Sequence, residues 1–282
     1  MIIICENGRL GNQLFQYVSL RSLFPDQKLI LWGFDDLVGL VTSLDATVIS
    51  ANKLPPWLTP SRLGRILHVL AVLRLMGRIR EVRSDSLYKL QKKRGLFRDT
   101  YLVESSFFQH QSIADGLKPD FSLRPALLSE AEDWLLGQSI ATDQGHLVFV
   151  HIRRGDYLHW PSREQPAVLD LDWYECAMNQ IRQQVKNPVF LVVTDDLSYA
   201  QDVFRDRADV RISTNDSDVD FALMSLCSHG ILSASSFAWW GAYFSRHNRK
   251  TPGLYLAPLY WAGHRTMRWY PSGFETGWIS YI

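Results

Sequence analysis

The chain has 282 residues, 46% hydrophobic and 21% charged, a globular composition that excludes a disordered chain. A formal net charge of +1 excludes the global cationic bias of a nucleic-acid-binding protein. Cys5, Cys176 and Cys227 are scattered without a CxxC pair, which excludes a disulfide framework and a cysteine-built zinc site and fits reduced thiols in the cytoplasm.

MIIIC (1–5) predicts a buried strand, too short and uncharged at its start to be a signal peptide. GRLGNQLFQYVSLRSLF (8–24) predicts a helix with Leu14, Tyr17, Val18, Leu20 and Leu23 on one stripe. KLILWG (28–33) and TVIS (47–50) predict two more strands, and the spacing of Leu63, Ile66, Leu67, Leu70, Leu73 and Leu75 predicts a helix over 61–79. YLVES (101–105) predicts a strand and PALLSEAEDWLLGQ (125–138) a helix. The polar stretch ATDQG (141–145) is the expected linker, dividing domain 1–143 from domain 144–282. No stretch reaches the roughly 20 apolar residues of a membrane span.

The second half alternates more regularly. HLVFVHIRR (146–154), PVFLVVTDD (188–196), VRIS (210–213), ILSAS (231–235) and GLYLAP (253–258) read as strands. LDWYECAMNQIRQQVK (171–186), DVDFALMSLCSHG (218–230, with Gly230 as its stop) and SFAWWGAYFSRH (236–247) read as helices between them. This alternation predicts α/β units with parallel sheets, whose ligands lie beyond the carboxyl ends of the strands. Arg153–Arg154, Asp195–Asp196 and Ser235–Ser236 all fall at such ends and should share one sheet edge.

Two arginines closing an apolar strand suit a diphosphate, because each guanidinium offers a planar fork of donors. Gly155 permits a sharp turn, and Asp156 can hold an arginine or a sugar hydroxyl. In GRLGNQLF, Gly11, Asn12 and Gln13 lie near a helix N-terminus whose amides face an anion, although Asn12 as a plain helix cap competes with that role. Ser235, Ser236 and the first amides of the following helix form a second expected anion cradle. Adjacent strand residues face opposite ways, so Asp195 and Asp196 are poor joint metal ligands: one is expected to cap the next helix and the other to face the ligand. Asp216, Asp218 and Asp220 have a DxD spacing but precede a helix, where acids favour the positive dipole end. Trp239 and Trp240 are expected in the core, and His229 in a structural hydrogen bond. The ten tryptophans also suit sugar stacking.

GRLGNQLF (8–15), HIRRGDY (151–157), VTDD (193–196), DFALMSLCSHGILSASSFAWWGAYF (220–244) and APLYW (257–261), in this order, resemble the GDP-fucose-dependent α1,2-fucosyltransferases. The resemblance implies a GT-B-type fold of two Rossmann-like domains with parallel sheets facing across a cleft, the first on the acceptor side and the second binding GDP-fucose. It implies inverting, metal-independent transfer of fucose to a β-galactoside, with no cofactor beyond the donor. By motif match it places His151, Arg153, Arg154 and Asp156 at the donor, Asp195 and Ser235–Phe237 near guanosine and phosphate, and Asn12 toward the sugar–phosphate bond. Ala238 stands where the resemblance leads one to expect a serine. Asp156 is the nearest carboxylate to serve as base, with His159 and Glu164 further along the loop. Related transferases share the His-x-Arg-Arg core, so transfer to C6 of a hexose is the alternative regiochemistry, and a non-catalytic glycan-binding module is the alternative class.

Charge is unevenly spread. Residues 1–100 hold 15 Lys/Arg against 8 Asp/Glu, and residues 101–282 hold 15 against 21. The excess between Arg74 and Arg98 is either a solvated basic face or a peripheral contact with an anionic inner membrane face.

Overall fold

The computed structural model describes residues 1–53, 55, 57, 60–84, 87–104, 106–140, 146–251 and 253–282. The chain forms two compact units, Met1–Leu123 and Arg124–Ile282. The linker expected at 141–145 lies outside the described residues. The helix preceding it, Pro125–Gly137, already belongs to the second unit, where it packs on the helix Ser217–Leu226.

Unit 1 runs β1 (Ile2–Cys5), α1 (Leu10–Leu23), β2 (Leu29–Trp32), α2 (Asp35–Leu40), β3 (Thr47–Ile49), α3 (Pro60–Val72), β4 (Met76–Ser84), β5 (Leu87–Lys93), β6 (Phe97–Val103) and α4 (Gln111–Ala114). Its sheet has the order β3-β2-β1-β6-β4-β5. All neighbours are parallel except the β4–β5 hairpin at one edge. The helix expected over 61–79 ends at Val72. Arg74 takes a positive φ of 58°, and the Leu75 amide donates back to the Leu70 carbonyl at 2.9 Å. The chain then enters β4, so the leucine period continued across a turn that closes the helix.

Unit 2 runs α5 (Pro125–Gly137), β7 (Leu147–Ile152), α6 (Leu171–Gln184), β8 (Val189–Thr194), α7 (Leu197–Phe204), β9 (Val210–Ile212), α8 (Ser217–Leu226), β10 (His229–Ile231), α9 (Ser236–His247), β11 (Tyr255–Ala257) and β12 (Ser280–Tyr281). Its all-parallel sheet has the order β12-β11-β10-β7-β8-β9. All six residues of β7 are buried, as a central strand covered on both faces requires. Gly230, expected to stop a helix, instead lies inside β10, and α8 ends at Leu226. A Cβ at Gly230 would lie 2.2 Å from the Phe149 ring, so glycine lets β10 lie against the aromatic residue of β7. Among the described residues no helix is long and apolar enough to cross a membrane.

Candidate active site

In unit 2 the chain moves from β7 outward to β8 and β9, then returns to the other side of β7 as β10. The loops after β7 and β10 therefore diverge at a topological switch point, the usual ligand position in open parallel sheets. Those loops carry Arg153–Tyr157 and Ser233–Ser236. Their side chains meet: Tyr157 Oη donates to the Ala234 carbonyl at 2.7 Å, and His151 Nδ1 lies 2.7 Å from Ser233 Oγ. The loop after β8 joins from the other side, where the Arg154 amide donates to Asp195 Oδ1 at 2.8 Å. The sheet edge expected from sequence is thus assembled by direct contacts.

Arg153 is gripped twice. Its Nε and one terminal nitrogen donate to Asp156 Oδ1 at 2.9 and 2.6 Å, and its other terminal nitrogen lies 3.1 Å from Asp195 Oδ2. Arg154 pairs with Asp196 at 3.0 Å and sits 3.8 Å above the Tyr199 ring, a cation–π contact. Asp196 also caps α7, accepting the Tyr199 amide at 3.1 Å. That amide, followed by Ser198 and Arg154, holds its carboxyl below the usual range. Asp195 instead braces the arginine loop, dividing the two acids as their opposite facing requires. A Cβ at Gly155 would come within 2.6 Å of Asp195 Oδ2, so a larger residue there would push this carboxylate aside.

His151 is 5% exposed, and burial together with the Arg153 charge pushes its pKa down to about 3. It therefore serves as a neutral hydrogen-bonding imidazole, tilted against Phe237 with ring centroids 5.5 Å apart. Ser235 caps α9 by accepting the Phe237 amide at 3.3 Å. Ser236 opens that helix and is half-buried. Ala238 is fully buried, so the serine expected there would place its hydroxyl in the core. Trp239 and Trp240 are core residues, and His229 accepts the Leu254 amide at 2.9 Å. His159 and Glu164 are exposed on the loop beyond the motif.

The three-acid run resolves differently from its spacing. Asp216 caps α8 through the Asp218 and Val219 amides. Asp220 is buried, accepts Ser213 Oγ at 2.5 Å, and is pushed up to about 7 by burial. It is no cap. Among the described residues no group of three His, Cys, Asp or Glu is placed to hold a metal. Tyr199 and Ser233 were not legible as site residues, because their roles depend on which loops the sheet brings together.

Unit 1 has its own switch point between β1 and β6. There the loops after the two strands line a cavity of about 550 Å³ with Glu6, Asn7, Glu104 and Ser106, joined by Arg80 and His68. Asn12 neighbours this edge: its Oδ1 accepts from Gln109 Nε2 at 2.8 Å. Asn12 does not cap α1, whose cap position is Arg9. Gly11 is buried in the first turn. Gln13, expected at the donor, is 2% exposed, and its Oε1 accepts the Leu37 amide at 3.0 Å. Its Nε2 lies 3.5 Å from both Glu6 and Asp36, so Gln13 ties α1 to α2 rather than facing a ligand.

Residues 51–282 match the profile of glycosyl transferase family 11. The chain belongs to this family. It is 25% identical to the O-antigen biosynthesis glycosyltransferase WbnK of Escherichia coli, over 91% of this chain and 93% of that one. It is 26% identical to human galactoside alpha-(1,2)-fucosyltransferase 1 over 86% of this chain, and spans 65% of that protein's length. The rat galactoside alpha-(1,2)-fucosyltransferase 2 is 31% identical over 51% of this chain and 42% of its own. The fold is shared with POFUT1 in complex with GDP (TM-score 0.51, 11% identity, 91% of this chain and 97% of that one). It is likewise shared with NodZ alpha-1,6-fucosyltransferase soaked with GDP-fucose (TM-score 0.50, 14% identity, 86% of this chain and 92% of that one). The family 11 chain thus has the GT-B-type pair of α/β units that its motifs imply.

Proposed function

We propose that this family 11 protein transfers L-fucose from GDP-β-L-fucose to the 2-hydroxyl of a terminal β-galactoside, inverting the anomeric centre without a divalent metal. The observation that carries the reading is the arginine pair at the unit 2 switch point, held by Asp156, Asp195 and Asp196. A diphosphate leaving group gains charge as the glycosidic bond breaks, so guanidinium contacts strengthen toward the transition state. Each charge-assisted hydrogen bond of this kind contributes about 1.5–3 kcal/mol. The relatives named as galactoside fucosyltransferases supply the sugar, which arginines alone do not specify.

Arg153, Arg154, Asp156, Asp195 and Asp196 together carry two positive and three negative charges. A diphosphate therefore has to displace a carboxylate. Asp156 is the one that yields, because its side chain is 57% exposed against 24% for Asp195 and 29% for Asp196. His151 and the α9 amides, with Ser235, Ser236 and Phe237, complete the donor side. On the acceptor side, the unit 1 cavity offers carboxylates, an arginine, a histidine and an asparagine to the hydroxyls of a neutral sugar. Its volume falls within the range of about 300–1,000 Å³ of small-molecule sites.

GDP, and not UDP, should raise the melting temperature. GDP-fucose with a galactoside panel should yield an α1,2 linkage by NMR, with turnover unchanged in EDTA. Arg153→Ala should nearly abolish transfer in a folded protein, and wild-type turnover of that variant at saturating donor would refute the assignment. A 1,6 linkage would keep the donor site and overturn the regiochemistry. A thermal shift with free glycans alone would point to a glycan-binding module instead.

A further inference from the structure

The helix α3 is apolar on both sides but packs on only one. Its inward residues Leu67, Leu70 and Ala71 meet Ile3, Met76 and Leu102. Its outward residues, with Leu73 just past its end, are also large and apolar: Ile66 is 51% exposed, Val69 54%, Val72 52% and Leu73 64%. Ile66, Val69 and Leu73 recur at the three- and four-residue spacing that keeps them on one face. The connection into β6 then brings a second apolar pair beside the end of this helix. The Leu96 amide donates to the Arg74 carbonyl at 2.7 Å, and the Phe97 amide to the Leu75 carbonyl at 2.8 Å. Leu96 is 71% exposed and Phe97 60%. Backbone hydrogen bonds thus fix two apolar segments, distant in sequence, into one surface. Such a cluster differs from the scattered single apolar residues normal on soluble proteins.

Cations frame it. Arg74 sits at the turn between the two segments, Lys93 and Arg94 precede Leu96, and Arg62 and Arg65 occupy the first turns of α3, all of them exposed. Residues 60–98 hold eleven Lys/Arg and two Asp/Glu. This pairing of protruding apolar side chains with surrounding cations is the chemistry of a bilayer interface, where the apolar groups enter the acyl boundary and the cations meet anionic headgroups. A second copy of the chain fits poorly. A twofold contact would bring the same patch, and so the same cations, against itself.

We propose that the outward face of α3, with Leu96 and Phe97, docks this protein on the surface of an anionic lipid bilayer. The surface lies wholly in unit 1, so the proposal stands or falls apart from the donor chemistry of unit 2.

The test is sedimentation of the full chain with vesicles of phosphatidylcholine alone and of phosphatidylcholine and phosphatidylglycerol in equal parts. The protein should pellet with the anionic vesicles and stay in solution with the neutral ones, and added salt should release it. Arg74→Gln with Arg94→Gln should lower partitioning about 30-fold, since each surface cation contributes a factor of about five. Leu73→Glu with Leu96→Glu should abolish it. Both pairs of positions are exposed, and an unchanged GDP thermal shift would confirm that unit 2 is intact. Failure to pellet with anionic vesicles, or equal pelleting with neutral ones, would overturn the proposal. So would a wild-type dimer in light scattering that Leu73→Glu with Leu96→Glu dissolves, because the patch would then be a protein interface.

Discussion

Arg153 is held by two carboxylates of different character, and this difference gives opposite predictions for them. Asp156 is more than half exposed and holds the Nε edge of the guanidinium, the edge for which the diphosphate of the proposed donor would compete. Asp156→Asn should therefore tighten GDP binding by up to about fivefold at low salt, because an exposed pair is worth at most about 1 kcal/mol. Isothermal titration would read this directly, and weaker GDP binding would show that Asp156 positions the arginine instead. Asp195 is less exposed, grips Arg153, and accepts the Arg154 amide. Asp195→Asn should leave Arg153 less firmly oriented, lowering kcat by about tenfold or more, since a misplaced guanidinium makes a weaker contact to the developing charge. At this scale the gathering of the arginines and Asp195 on one sheet edge was legible, because charge that closes an apolar parallel strand falls at the strand's carboxyl end. Tyr199 was not, since a ring lying under a guanidinium is set by how α7 returns over the sheet. Gln13 was misread because a polar residue near a helix start looks the same whether it faces a ligand or a neighbouring helix.

Three helix starts in unit 2 are capped by short acids and a hydroxyl, and the acid caps were readable, whereas Ser235 was expected in an anion cradle. Asp196, Asp216 and Ser235 each accept the amides of the helix that follows. Asp216→Ala should cost about 1 kcal/mol of stability, a typical cap value, read as a lower melting temperature with no change in GDP affinity. Asp220, one turn further on, behaves differently. Its folded pKa is raised to about 7, whereas an unfolded aspartate loses its proton near ~3.9. Between these values the folded state binds more protons, so this group lowers stability as pH rises toward 7. His151 acts in the opposite sense. Its folded pKa is about 3, so the unfolded state takes up a proton first as pH falls below ~6.5, and stability falls with it. The two slopes oppose each other in mildly acidic solution. Asp220→Asn keeps the acceptor for Ser213 and removes one of them. Its melting temperature should exceed the wild-type value at pH 8 by more than at pH 5, and a constant difference would show that Asp220 is ionised in the folded protein. Buried parallel strands such as β7 were legible as unbroken apolar runs. The β4–β5 hairpin was not, because cations interrupt its strands and the preceding leucine period runs on past the end of α3.

Each of the two units presents a polar site where its strand order reverses, and under the proposed function the chemistry of the two sites would divide the reaction. The unit 2 edge concentrates arginines, helix-start amides and hydroxyls, which suit phosphate. The unit 1 edge concentrates carboxylates with an arginine, a histidine and an asparagine in a cavity of about 550 Å³, which suits neutral hydroxyls. The alternation of strands and helices made unit 2 readable from sequence, while the position of the unit 1 cavity depends on β6 pairing with β1 across nearly a hundred residues. The division predicts separable kinetics. Glu104 is paired with Arg78 at 3.2 Å and reaches into the unit 1 cavity lining. Glu104→Gln should raise the acceptor KM about tenfold, the loss of roughly 1.4 kcal/mol expected when a charged acceptor of hydroxyl hydrogen bonds becomes neutral, and leave GDP affinity unchanged. Arg154→Ala should weaken GDP binding and leave the binding of free galactoside, measured by saturation-transfer NMR, unaltered. The two substitutions lie in different units, so in the double variant their effects on the two binding free energies should add. A Glu104 variant that weakened GDP rather than the galactoside would move the donor to unit 1 and reverse the assignment of both edges.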